Sequence, residues 1–131
     1  MVSVGKRKIA APSPHPETEE YWRAAAAGRL LLKRCLACGE PHHYPRAICP
    51  FCLSADTTWI EASGRGRIYS YSTMGVAEAA YTLAYVTLEE GVTMLTNIVD
   101  CAECELRVGL QVKVVFEPCD GGQPVPMFAP A

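Results

Sequence analysis

Two Cys-x-x-Cys pairs, Cys35-Leu-Ala-Cys38 and Cys49-Pro-Phe-Cys52, stand ten residues apart in the first half of the chain. A Cys-x-x-Cys pair on a tight turn presents two thiolates to one ion, and two such turns facing each other complete a tetrahedral sulfur site. Gly39 follows the first pair and admits a positive φ, so backbone N–H groups can point at the sulfurs. Pro50 sets φ inside the second pair. Cys35, Cys38, Cys49 and Cys52 are therefore expected to hold a structural metal, Zn2+ in preference to iron. Two disulfides or four free thiols are the alternative. A site closed by four sulfurs has no open coordination position, so its expected role is to hold the fold and do no chemistry.

A chain of 131 residues makes one compact unit or two very small ones. Half of the residues are hydrophobic and a fifth are charged, which fits an ordinary globular protein. The net charge of −2 gives no global pointer to nucleic acid, but it is unevenly spread. Residues 1–34 carry seven basic and three acidic groups, residues 35–63 one and three, and residues 64–131 four and eight. A basic tail beside a solvated acidic surface accounts for this. Seven cysteines is an odd number and four of them fit a metal site, which points to a reducing compartment. Gly5-Lys-Arg-Lys8 is not followed by an apolar run, and no stretch approaches the roughly 18 apolar residues of a membrane span. A cytoplasmic location without membrane contact is expected.

In chain order, residues 1–15 read as a flexible arm with Pro12 and Pro14 among small and basic residues. Lys6-Arg-Lys8 has the chemistry to touch phosphate, with a solvated tail as the plainer reading. Pro16 suits the first turn of a helix, and Glu17, Glu19 and Glu20 crowd that turn, where the helix dipole favours acids. The helix should run to about Ala27 and stop at Gly28. Tyr21 and Trp22 are adjacent and cannot share one narrow face. One is expected to pack inward on the ribbon and the other to face a partner or ligand, unless both serve the core. Leu30 to Cys35 is the first ribbon strand. His42 and His43 invite a metal-ligand reading, but four cysteines already fill a tetrahedron. Arg46, before the second Cys pair, is a candidate for binding an anion, with a surface ion pair as the alternative. Residues 16–62 thus form a helix and zinc ribbon.

Residues 63–131 change to a strand pattern. Gly64-Arg-Gly66 marks a turn or bulge, Arg67–Met74 a first strand, Gly75–Ala80 a loop or short helix, and Tyr81–Leu88 a second strand. Glu89-Glu-Gly91 turns into Val92–Val99, and Gln111–Phe116 is a fourth strand. Pro124-Val-Pro-Met-Phe128 is expected to add only a short edge strand, because of its prolines. Such a set fits a small Greek-key barrel such as the OB-fold, with an SH3-like barrel as the alternative. Cys101 and Cys104 form a third Cys-x-x-Cys in an acidic loop without a partner pair. They read as incidental loop cysteines, with a half-site or redox pair as the alternative, and Cys119 has no assigned role. No nucleophile elbow, phosphate-cradling glycine loop or His-Glu-x-x-His motif is present, and nothing argues for catalysis.

Several segments, each weak alone, become specific in this order. They are Tyr21-Trp22, Gly28-Arg-Leu leading to the first Cys pair and Gly39, Pro45-Arg46 before the second, Ser63-Gly-Arg-Gly-Arg-Ile-Tyr-Ser70, Leu88-Glu-Glu-Gly91, Leu106-Arg-Val-Gly109 and Pro124–Phe128. From about Pro16 to Phe128 they resemble the zinc-ribbon plus OB-fold family of acyl-CoA-associated proteins, long catalogued as a domain of unknown function. The chain departs from the family pattern in having Tyr21 where Phe is usual. The resemblance implies a mostly β protein, with an N-terminal helix and rubredoxin-like zinc ribbon followed by a small OB-fold Greek-key barrel. It further implies a non-catalytic accessory subunit in a hetero-oligomer. That subunit docks on a thiolase-like partner (an acyltransferase, synthase or aldolase) and helps bind or channel acyl-CoA. By position, Tyr21, Trp22 and Arg46 would lie at the contact surface, with Arg29, Lys33 and Arg34 offering charge to the phosphates of CoA. The chief rival is a module for single-stranded nucleic acid, with Tyr69, Tyr71 and Tyr85 stacking on bases. An iron-bearing, rubredoxin-like electron carrier and an independent enzyme are further alternatives.

Overall fold

The computed structural model describes residues 9–76 and 80–131. Residues 1–8, with the basic Lys6–Lys8 of the expected arm, and residues 77–79 of the expected 75–80 loop lie outside the described residues. The helix α1 spans Glu19–Ala26 and places Glu19 and Glu20 in its first turn. It starts three residues after Pro16 with Thr18 as N-cap, whose carbonyl accepts the Trp22 N–H at 3.1 Å while its Oγ1 and backbone N–H turn back to His15. Tyr21, Ala24 and Ala25 are its buried face, the i, i+3, i+4 stripe of an amphipathic helix. Its end is a Schellman motif. Gly28 sits at φ 79°, its N–H reaches Ala25 O at 3.0 Å, and Arg29 N–H reaches Ala24 O at 2.9 Å.

Three strands form the ribbon sheet, with β1 (Leu31–Cys35) between β2 (Pro41–His42) and β3 (Thr57–Glu61). Both pairings are antiparallel, with Lys33 opposite His42 on one side and Trp59 on the other. Five further strands close a barrel. They are β4 (Arg65–Met74), β5 (Tyr81–Leu88), β6 (Thr93–Ile98), β7 (Gln111–Pro118) and β8 (Pro124–Pro130), in the order β4-β5-β6-β8-β7. Strand β4 returns to pair with β7 over Arg65–Arg67, which completes closure. This is the five-stranded Greek-key barrel of the OB type, so the SH3-like alternative falls away. A bulge between Ile68 and Ser70 bends β4.

The expectation of a short edge strand at Pro124–Phe128 is corrected. Strand β8 runs seven residues, pairs with β7 throughout, and meets β6 in parallel at Ile98 and Phe128. The reason is the spacing of its prolines. Odd-numbered residues on this side exchange bonds with the β7 side, as Ala131 N–H to Gln111 O and Cys119 N–H to Gln123 O show. Pro124, Pro126 and Pro130 are even-numbered, so their missing N–H groups point away from the β7 ladder. Phe128 points inward and is fully buried.

One core runs through both parts. Tyr21, Ala24 and Leu30–Leu32 join Ile68, Val86, Ile98, Val112 and Phe128 in a single buried cluster. A smaller cluster of Val99, Met127 and Ala129 is covered by Ile9, whose carbonyl accepts the Asp120 N–H at 2.9 Å. Among the described residues, no helix is long and apolar enough to cross a membrane.

Candidate metal centre and aromatic surface

The two Cys-x-x-Cys turns face each other across the ribbon. The Sγ atoms of Cys35, Cys38, Cys49 and Cys52 all lie within 4.8 Å of one another. Cys35 Sγ is 3.5 Å from Cys52 Sγ, and Cys38 Sγ is 3.8 Å from Cys49 Sγ. A tetrahedral zinc with its usual thiolate bond length sets sulfurs about 3.8 Å apart, so the donor set fits such an ion. The turns are pseudo-symmetric. Cys35 N–H bonds Glu40 O and Gly39 N–H bonds Cys35 O; in the second turn Cys49 N–H bonds Ser54 O and Leu53 N–H bonds Cys49 O. Backbone N–H groups of Cys38 and Phe51 reach the sulfurs of Cys35 and Cys49 at 3.4 Å. The Cys38 N–H is the largest influence on the Cys35 thiol and helps draw it down to about 7. At Cys38 and Cys52 the Glu40 and Ser54 backbone hydrogen bonds are outweighed by burial and the neighbouring sulfurs, which push both thiols up.

The symmetry has one flaw. Gly39 takes φ 80° in the first turn, and Leu53 takes φ 67° at the matching place in the second. A left-handed leucine is uncommon and strained. Its side chain is 77% exposed, and Leu36, Ile48 and Phe51 are also mostly exposed, so the metal turns carry an apolar rim.

Tyr21 and Trp22 both pack on the core, to different depths. Tyr21 faces inward at 3% exposure, and Trp22 is half-buried. Tyr21 Oη lies 3.0 Å from His43 Nε2, and Trp22 Nε1–H donates to Tyr44 Oη at 2.9 Å. The rings meet edge to face, Tyr21–Trp22 at 5.1 Å and Tyr21–Tyr44 at 5.3 Å between centroids. Burial, aided by Tyr44, pushes the Tyr21 phenol well above its ordinary range. Burial, aided by His42, pulls His43 down to about 4, so a neutral imidazole can accept the phenol proton. His43 and Tyr44 therefore fasten the helix to the ribbon loop. Sequence reasoning weighed His43 only as a ligand; the signal available was a second aromatic doublet, His43-Tyr44, that needed a first one to pack on.

His42 lies outside the sulfur cluster and is buried, with neither ring nitrogen hydrogen-bonded among the described residues. With Glu90 it lines a cavity of about 400 Å³ between the ribbon and the β5–β6 hairpin. That space is roomy enough for water.

The ribbon cations are mostly spoken for. Arg46 pairs with Glu17 at 3.6 Å, and Glu17 Oε2 also accepts the Ala47 N–H. Arg29 pairs with Glu61 at 3.4 Å, and Lys33 sits over the Trp59 ring at 4.4 Å. Cys101 is buried in the core and Cys104 is exposed; neither belongs to the sulfur cluster. Tyr69, Tyr71 and Tyr85 are exposed on the barrel.

Two family models match adjoining stretches. The ChsH2 rubredoxin-like zinc ribbon domain matches residues 22–58, and the ChsH2 C-terminal OB-fold domain matches residues 59–117. The chain is 33% identical over 125 residues to a probable enoyl-CoA hydratase alpha subunit of Thermomonospora curvata, covering 92% of this chain but only 39% of that protein. It is 38% identical over 94 residues to a DUF35 domain-containing scaffold protein of Methanocaldococcus jannaschii, covering 66% and 67% of the two chains. Benzoylsuccinyl-CoA thiolase subunit BbsA of Thauera aromatica is 26% identical over 114 residues, 82% of this chain and 79% of that one. Among solved structures, a chain of the Ltp2-ChsH2(DUF35) aldolase superposes with a TM-score of 0.79 at 32% identity, covering 92% of this chain and 98% of that one.

Proposed function

The chain belongs to the ChsH2 family, which joins a rubredoxin-like zinc ribbon to an OB-fold, and from that premise we propose that it is a non-catalytic accessory subunit of an acyl-CoA enzyme. It docks on a thiolase-superfamily partner (an acyltransferase, synthase or aldolase) and helps hold or channel the acyl-CoA substrate. One observation carries the reading: nearly the whole chain aligns, at 32% identity, with nearly the whole of a chain from an aldolase named for two components. Relatives named as a hydratase subunit and a thiolase subunit support it. So does the apolar rim of Leu36, Ile48, Phe51 and Leu53, because exposed apolar side chains of this size mark contact surfaces when grouped.

In this reading residues 16–62 are the helix and ribbon unit, and residues 63–131 the barrel. Cys35, Cys38, Cys49 and Cys52 hold structural zinc, which closes the ribbon and supplies no reaction, since four thiolates leave it no open position. Tyr21 is a positioning residue that anchors the helix. Trp22 and Arg46 are the partner- or ligand-facing members of the surface.

The test is capture of the tagged chain from its native host, where it should bring down an untagged acyl-CoA enzyme. The expected result is stoichiometric co-purification and a change in the enzyme's acyl-CoA turnover. Recovery of the chain alone, with turnover the same in its absence, would overturn the reading. Nucleic-acid binding has one observation in its favour, the three exposed tyrosines. The groove of about 340 Å³ between Tyr71 and Tyr85 is nevertheless lined by serines and apolar side chains with no cation, which does not suit a polyanion.

A further inference from the structure

Of the cations expected to meet phosphate at the ribbon end, Arg46 and Arg29 are paired with Glu17 and Glu61, Lys33 sits over the Trp59 ring, and Arg34 has no ion pair among the described residues. A different set is free. Among the described residues, none of Arg65, Arg67 and Lys113 is ion-paired. The barrel's closing seam brings them together. Arg65 stands directly opposite Lys113 across the β4–β7 pairing, and Arg67 stands opposite Gln111. Arg65, Arg67, Gln111 and Lys113 are all exposed while Val112 between them is buried, so the four share the outer face. They line one cleft of about 410 Å³, with Thr87, one acidic side chain, Glu89, and the last residue, Ala131, at its side.

Like charges directly opposite each other on a sheet destabilise it. Here the pair sits in the acidic half of the chain, where eight acidic residues were available to neutralise it. Gly66, between the two arginines, has no room for a side chain, because a Cβ would come within 2.6 Å of Thr87 O. That side chain would point inward, toward Val86 and away from the face that carries Arg65 and Arg67, so Gly66 lets β4 and β5 approach closely beneath the two arginines. Arginine forks bind phosphate oxygens bidentately, and an ammonium adds a point charge. The cleft contains no aromatic ring to stack on a base, which separates it from a single-strand groove.

We propose that the cleft formed by Arg65, Arg67 and Lys113 at the β4–β7 seam binds the phosphate groups of a small-molecule anion. A CoA thioester and a free polyphosphate carry the same chemistry. Naming CoA as the source rests on the subunit reading above; the anion site itself does not.

The experiment uses the full chain with zinc bound and no partner, and titrates it with pyrophosphate, CoA and dephospho-CoA. Pyrophosphate is expected to bind, to weaken as salt rises, and to shift the amide resonances of Gly66 and Val112. The double variant R65Q/K113Q is expected to lose at least tenfold in affinity while its Tm holds or rises, since the like-charge pair is gone. A merely structural pair would lower Tm. CoA binding more tightly than dephospho-CoA, with the difference lost in the variant, assigns the site to the 3′-phosphate of CoA. Equal binding of the two, each displaced by pyrophosphate, assigns it to a diphosphate. Absence of pyrophosphate and CoA binding, or wild-type affinity in R65Q/K113Q, would overturn the proposal. Either result leaves the partner-capture test unaffected, so the failure of one reading is distinguishable from the failure of the other.

Discussion

In the ribbon, three short strands hang on two turns whose four sulfurs converge within 4.8 Å, and the turns leave Leu36, Phe51 and Leu53 in solvent. In the barrel, five strands close on themselves and bury Ile68, Val86, Ile98, Val112 and Phe128. Strand β2 has only two residues, too few to hold a sheet by pairing alone. The barrel needs no clip, because closure pairs its edges and its side chains fill the interior. A small unit with little core borrows stability from metal, and a closed barrel makes its own. The difference also divides the surfaces. Arg29, Lys33 and Arg46 of the ribbon meet carboxylates or a ring, whereas the barrel seam keeps three cations free on one face.

The largest expected effect breaks the ribbon alone. With zinc in the proposed site, chelation or Cys49→Ser should cost the ribbon several kcal/mol, since metal binding and ribbon folding are coupled. Hydrogen exchange should then rise over residues 35–57 while β5 and β6 stay protected. Simultaneous loss of protection in the barrel would show that the shared core makes the two parts one cooperative unit. The converse test is Phe128→Ala. Removing a fully buried ring at the β6–β8 junction should cost about 3–5 kcal/mol in denaturant unfolding. Zinc content should survive wherever the barrel remains folded. A cost under about 1 kcal/mol would mean that β8 is not the keystone its pairing implies.

A third test concerns the junction of helix and ribbon. Burial holds His43 neutral, with its folded pKa about 4 against about 6.5 unfolded. For a base whose folded pKa is depressed, stability is full above the unfolded value and is lost as pH falls toward the folded one. Stability should therefore decline by up to about 3 kcal/mol between pH 6.5 and 4. His43→Gln, which keeps an acceptor for Tyr21, should flatten that limb in chemical denaturation at stepped pH. An unchanged limb would assign the acid sensitivity to other groups, the cysteine thiolates first. The smallest effect tests the flaw in the ribbon's symmetry. Leu53→Gly relieves a left-handed leucine and should raise Tm, by up to about 1 kcal/mol of stability. A fall in Tm would show that Leu53 contributes packing that its exposure hides.

Much of the ribbon was legible because its ligands are local. Four cysteines at fixed spacing, Gly28 as a helix stop and Gly39 after the first pair each act within a few residues. The strands β4 to β7 were legible through alternation and turn residues. The role of β8 was not, because proline was weighed as a missing donor without regard to its parity along the strand. Tyr21 and Trp22 stood out, but their partners His43 and Tyr44 lie 22 residues away, beyond any local pattern. Leu53 gave no warning, since nothing in its identity announces a positive φ.

By itself, the order of residues determined the four-sulfur donor set, the helix and its end, the strands β4 to β7 and the family likeness, because each depends on short-range geometry or period. Only the tertiary structure decided which cations are free. An arginine reads the same in sequence whether a glutamate 29 residues back meets it, as Glu17 meets Arg46, or a lysine 48 residues on is brought opposite it, as Lys113 is to Arg65. Charge acts through space over a few ångströms, and barrel closure sets which residues come that close.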